Sequence, residues 1–306
     1  MRRNLCPYGV YLESALYVIL LMSNQKMLEC RFSEKKLDYY ANQGLRKVQG
    51  WFAADSALVI RQLATAQNHF MITGGVGEIG VHHGKLFILL HLMLRKNERS
   101  FAVDIFDKQE LNIDKSGKGN LNIFLKNVRD LGGNPDLIDI FEKSSLNVSA
   151  EEIISKSGKI RIFSVDGGHT AELTLNDLLI AEQSICDGGI IIIDDYFNAH
   201  WPGVSDGVFQ FFQKKKSDLI PIIISPNKIF LTHTKYAKDY QSFLKEKLFH
   251  MYEKSSIFFG SEVLIFDSPK SRLDEIRKSA FYKKIKNYKL FKSLIVPYAK
   301  RIIKSP

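Results

Sequence analysis

Four consecutive isoleucines, Ile190 to Ile193, stand between Gly188-Gly189 and Asp194-Asp195. Alternating polarity would mark a strand with one wet face. A β-branched run with no polar member marks a strand buried on both faces. Only a sheet covered by helices on both sides offers that environment, so the run imposes a layered α/β fold on what surrounds it. A second strand, 159–165, ends in Asp166-Gly167-Gly168-His169. Apolar runs at 74–79, 100–106 and 137–141 alternate with helical patterns over 82–95, 120–131 and 172–186. This alternation predicts a doubly wound, mainly parallel Rossmann-like sheet of about seven strands with an antiparallel edge strand. Residues 188–189 read as the stop of the helix before the isoleucines.

The flanks are less regular. Residues 33–70 read as helical with a break at Gly50, 107–120 as a polar Gly-rich loop, and 204–214 as a helix. Residues 219–225 and 228–232 form a hairpin around Pro226-Asn227, 236–254 read as a polar helix, and 262–266 as an edge strand. The expected domains are an N-terminal helical region (1–70), a ligand-binding catalytic domain (71–235), a helical insertion with edge strand (236–268) and a basic amphipathic tail (269–306).

The formal charge of +10 is concentrated in the tail. From Lys270 onward there are twelve Lys or Arg against Asp274 and Glu275, a net +10, which is the whole excess. The rest of the chain is near neutral, so no nucleic-acid partner is expected. Tyr282, Ile285, Tyr288, Phe291 and Ile295 recur among the tail lysines at roughly helical spacing. Such a segment suits an anionic membrane surface, an acidic partner, or one face packed on its own domain. Cys6, Cys30 and Cys186 have no paired spacing, which fits a reducing cytoplasm. The expected location is therefore cytoplasmic, with the tail as an optional peripheral membrane contact. Arg2 and Arg3 precede an apolar stretch at 10–22 that superficially resembles a signal peptide. Glu13 interrupts it and no small-residue cleavage site follows. An amphipathic helix, residues upstream of a start at Met22 or Met27, and a targeting segment all stay open, as does assembly into a homo-oligomer.

Chemistry concentrates at the strand ends, where open parallel sheets bind ligands. Glu78-Ile79-Gly80-Val81-His82-His83-Gly84-Lys85 is a glycine-bearing strand-to-helix turn that lets a ligand approach the backbone. The same pattern serves packing alone, and its spacing is not that of the dinucleotide fingerprint. Asp104 ends the next strand, 24 residues after Gly80, where a carboxylate can accept from both ribose hydroxyls of an adenosine. Asp166, Asp194 and Asp195 end two neighbouring strands. They repel one another unless something positive lies between them, and a divalent cation is the natural choice, Mg²⁺ ahead of Mn²⁺. Each aspartate taken singly is also an ordinary helix cap. His169, three residues past Asp166, is the candidate general base, with His82, His83 and His200 as alternatives.

These motifs, with Val103-Asp104-Ile105-Phe106-Asp107 and Trp201-Pro202-Gly203, resemble those of the class I S-adenosylmethionine-dependent methyltransferases. More narrowly, the chain is similar to the metal-dependent sugar O-methyltransferases of the macrocin, mycinamicin and novobiocin type and their cephalosporin-pathway relatives. The resemblance spans about residues 45–235. It implies that Glu78, Gly80 and Gly84 line the methionine end of the cofactor and that Asp104 holds the ribose. It further implies Asp166, Asp194 and Asp195 as ligands of a divalent ion and His169 as base. The adenine contact falls in the loop Glu142-Lys143-Ser144-Ser145, where relatives tend to have Gly-Asp-Ser, so Ser144 is the candidate there. The implied acceptor is a hydroxyl of a sugar or glycan, and Trp51, Trp201 and Tyr196 are candidate stacking surfaces for it. A nicotinamide-dependent oxidoreductase and a non-catalytic recruitment module are the competing readings. Neither needs the acid cluster with His169.

Overall fold

The computed structural model describes residues 29–214 and 217–267. The expectations for 1–26, and for the basic tail at 269–306, lie outside these residues. Two helices, α1 (Glu34–Asn42) and α2 (Ala54–His69), precede the first strand. Then follow β1 (Gly75–Ile79), α3 (Lys85–Leu92), β2 (Ser100–Asp104), α4 (Leu121–Asp130) and β3 (Ile138–Glu142). The second half runs α5 (Ala150–Ser157), β4 (Ile160–Val165), α6 (Ala171–Ser184), β5 (Ile185–Asp194) and α7 (Pro202–Lys214). It closes with β6 (Leu219–Ser225), β7 (Lys228–His233), α8 (Ala237–Lys247), β8 (Tyr252–Phe258) and β9 (Ser261–Phe266). No helix among the described residues is long and apolar enough to cross a membrane.

The sheet has nine strands, in the order β3-β2-β1-β4-β5-β7-β6-β9-β8, rather than about seven. Strands β3, β2, β1, β4 and β5 pair in parallel, and β7 joins β5 antiparallel. The isoleucine run shows why the sheet is covered twice. Ile190 and Ile192 face one core with Phe87, Ile60 and Phe124 from α3, α2 and α4. Ile191 and Ile193 face the other with Leu178 and Val208 from α6 and α7. The chain moves outward from β1 through β2 to β3, then returns to place β4 on the other side of β1. That reversal is the switch point at which a cleft opens above the carboxyl ends of the strands.

Several elements differ from the sequence pattern. Gly188-Gly189 does not stop α6. The helix ends at Ser184, and the glycines lie inside β5, where the pairing with β4 changes register. Helix α5 was not expected; Ser149 caps it by accepting from the Glu152 backbone N–H at 3.2 Å, a Ser-x-x-Glu capping sequence. The polar helix expected to 254 ends at Lys247, and 252–258 form β8. Strand β8 is the outermost strand of that side, so β9 lies inside it rather than at the edge.

A buried ionic cluster fixes the opposite, amino end of the strands. Arg161 on β4, fully buried, holds Glu98 at 3.1 Å, Gln67 on α2 at 3.0 Å and the Met93 carbonyl at 2.7 Å. Glu98 also accepts from the backbone N–H groups of Gly74 and Arg95. Each buried charge there has hydrogen-bonded partners, as burial requires.

Candidate active site

Above the switch point lies a cleft of about 740 Å³, lined from every strand end between β2 and β7. Its floor begins with the turn after β1. Gly80 has φ +87°, and a Cβ there would lie 1.7 Å from the Asp166 carbonyl oxygen, so only glycine lets β1 and β4 approach this closely. Gly84, with φ +90°, forms the cap of α3 and lies against Phe124. The turn thus presents the amino end of α3 towards the cleft.

Asp104 ends β2 beside this turn. One of its oxygens accepts from the His82 N–H at 2.6 Å and the other from the Phe106 N–H at 2.5 Å. Burial raises its pKa, and these N–H groups oppose the rise. Each oxygen keeps a lone pair for a further donor such as a ribose hydroxyl. Ser144 lines the same cleft, where its hydroxyl accepts from the Leu146 N–H at 3.4 Å. Glu78 is buried within β1 and accepts from the Ser164 hydroxyl at 3.1 Å. Burial lifts its carboxyl to about 8, against the pull of Lys228 and Ser164.

The acids after β4 and β5 separate into two groups. Asp166 and Asp195 lie with His169 so that one ligand atom of each falls within 4.8 Å of the others. Asp194 is committed elsewhere. One of its oxygens forms an ion pair with Lys228, and the other accepts from the Asp195 N–H at 2.9 Å and the Asn227 side chain at 3.3 Å. The three aspartates assigned together by resemblance are therefore not equivalent. Asp166 is pushed well up by burial and by the adjacent charge of Asp194.

His169 is held on three sides. Its Nδ1 lies 2.7 Å from Asp114, whose same oxygen accepts the His169 backbone N–H at 2.7 Å. Its Nε2 lies 3.2 Å from Asp195. Its ring stacks on Trp201, centroids 4.2 Å apart and planes 18° from parallel. Burial disfavours the imidazolium, but the bonds to Asp114 and Asp195 outweigh it and lift the pKa to about 9. Against burial, the reciprocal bonds lower Asp195 to about 2, and those from His169 and Ser116 hold Asp114 well below the usual carboxylate range.

Asp114 and Lys228 carry no mark in the sequence that separates them from ordinary loop and strand residues. Asp114 belongs to the loop at 107–120, and its signal is local: Ser116 donates to its second oxygen from both N–H and hydroxyl, closing a turn. Lys228 opens a strand whose next three residues are apolar, and only tertiary packing shows that it points inward. The alternative histidines take other places. His82 and His200 line the cleft, whereas His83 is buried with no hydrogen-bond partner on its ring. Of the three candidate stacking surfaces, Trp201 is taken by His169, Tyr196 packs on Phe197 and Phe258, and Trp51 stands 78% exposed at the cleft.

Residues 78–196, which span β1 to the acids after β5, match a family model described as a methyltransferase domain. No curated protein matches the chain at a significant level. Among solved structures, the O-methyltransferase NovP is 18% identical with a TM-score of 0.52, over 72% of this chain and 99% of NovP. An O-methyltransferase from Bacillus cereus, solved with S-adenosylhomocysteine, is 12% identical (TM-score 0.45; 65% of this chain, 90% of that one). The MycE methyltransferase of mycinamycin biosynthesis, solved with Mg, S-adenosylhomocysteine and mycinamycin VI, is 16% identical (TM-score 0.45; 67% and 55%). Residues 78–196, which build the switch-point cleft, thus resemble a methyltransferase domain, and the chain shares its fold with the O-methyltransferase NovP.

Proposed function

We propose that the chain transfers a methyl group to a hydroxyl of a sugar or glycan-type acceptor. The observation that carries this reading is the meeting, in one cleft, of the Gly80–Asp104 cradle and a histidine oriented by Asp114. The donor's methionine end fits beside Glu78 and against Gly80 and Gly84, where a Cβ would meet the Asp166 carbonyl and Phe124, and its ribose fits against Asp104. A divalent ion fits at Asp166 and Asp195, beside His169. When bound, the donor supplies an electrophilic methyl group and the ion lowers the pKa of an acceptor hydroxyl.

The protein's own part is orientation and proton transfer. Asp114 holds the Nδ1 proton of His169, which leaves Nε2 as the atom facing the cleft. Asp195 competes for that atom; when its oxygen turns away, the imidazole loses a stabilising partner and becomes a base suited to neutral pH. Nε2 then takes the hydroxyl proton as the acceptor oxygen attacks. Trp201 keeps the ring in plane throughout. Most of the rate gain expected here comes from alignment of the two reactants.

Calorimetric titration with S-adenosylmethionine and S-adenosylhomocysteine tests the cofactor half. Micromolar binding that disappears in Asp104→Ala is the expected result, and absence of binding sinks the reading. A screen of glycans and vicinal diols for methylation tests the acceptor half.

A further inference from the structure

The acidic centre already contains a cation. Lys228 is 1% exposed and pairs with Asp194, and its ammonium lies 5.3 Å from the centre of the Phe52 ring. Glu78 and Asp166 also feel its charge. A lysine is almost never buried this completely unless carboxylates surround it. Here they come from β1, the end of β4 and the end of β5. The crowding that makes a divalent ion attractive is thus relieved in part by the chain itself. Asp194 is held by the Lys228 ammonium, whereas Asp195 meets only His169 and the neutral amides of Asn198 and Asn227, and the carboxylates that converge with His169 are Asp166 and Asp195.

We propose that Lys228 is a built-in counter-charge of this centre, a tethered ammonium that withdraws Asp194 from the ion site and weakens divalent-cation binding at Asp166 and Asp195. Two effects act together. A hard divalent ion gains from each carboxylate it meets, and one of three is withheld. The ammonium also repels an incoming cation at short range. The methyl-transfer reading supplies the purpose of the centre; its charge balance stands on the geometry alone.

The test is Mn²⁺ binding, followed by electron paramagnetic resonance, and thermal unfolding with and without Mn²⁺. Both use the full chain as wild type, Lys228→Met and Lys228→Met/Asp194→Asn. Removing a like charge this close is expected to tighten Mn²⁺ binding in Lys228→Met by at least about ten-fold. Mn²⁺ is also expected to raise the melting temperature of Lys228→Met more than that of wild type, because the ion replaces the missing ammonium. The double variant, with both charges removed, is expected to fold without Mn²⁺ and to lose both gains. A Lys228→Met protein that neither binds Mn²⁺ more tightly nor is stabilised by it overturns the proposal. So does a double variant that keeps the gains. S-adenosylhomocysteine binding is measured on the same wild-type samples; its absence overturns the methyltransferase reading, whatever Mn²⁺ does.

Discussion

His169 is the residue on which the proposed chemistry turns, and its neighbours make its role measurable. Asp114→Asn keeps the shape of the clamp but removes its charge and alters which nitrogen holds the proton. The expected outcome is a fall in kcat of about 10- to 100-fold with an unchanged KM for the methyl donor, read by steady-state kinetics. His169→Ala is expected to cost about 10²- to 10⁴-fold in kcat. The same contacts predict a pH-dependent stability. The imidazolium is favoured in the folded state, from 6.5 to about 9, so its contribution is complete below pH 6.5 and is lost as pH rises through 9. In chelator, the unfolding free energy of wild type minus that of His169→Gln is expected to fall by of the order of 3 kcal/mol across that window. A difference that stays flat with pH contradicts the doubly held imidazolium. Asp104, Asp166, Asp194 and Asp195 stand out in the sequence as candidates because each lies at or directly after a strand end, and His169 because it follows three residues behind Asp166. Asp114 does not, because its partner is 55 positions away and only the folding of its loop over His169 joins them. Lys228 was hidden for the same reason: the charge that answers Asp194 arrives from another strand.

At the level of elements, the parallel strands are fixed at both ends by different means. The amino ends rest on the buried Arg161–Glu98–Gln67 cluster. Arg161→Met takes from the buried Glu98 carboxylate its closer guanidinium, leaving Arg95 at 3.4 Å, and is expected to cost about 3 kcal/mol, read as a lowered urea midpoint. Donor affinity in the folded variant is expected to be unchanged, since the cleft lies at the other end of β4. The bounds of β4 were legible to within one residue because Gly158 precedes it and Asp166-Gly167-Gly168 follows it. Boundaries failed where local signals served another purpose. The glycines at 188 and 189 look like a helix stop, yet Gly188, with φ +75°, sits in β5 against Ile72 and Tyr236. Strand β8 was missed because its side chains are mostly exposed, and an edge strand without a buried face lacks the alternation that betrays one.

Across the whole molecule, the cleft belongs to the native sheet and to no single segment, so a ligand that fills it stabilises everything that builds it. S-adenosylhomocysteine at about 100 times its Kd is expected to add about 2.7 kcal/mol to the unfolding free energy, seen as a raised melting temperature, and Asp104→Ala is expected to abolish the shift. The contact of Gly80 with the Asp166 carbonyl has a wider bearing. It fastens the loop proposed to cradle the donor directly to the loop that carries His169, with no side chain between. The two half-sites therefore share a common datum: their spacing is set when the sheet forms and needs no later adjustment. An enzyme built this way can exchange the walls of its acceptor pocket, which come from other loops, without recalibrating the distance between donor and base.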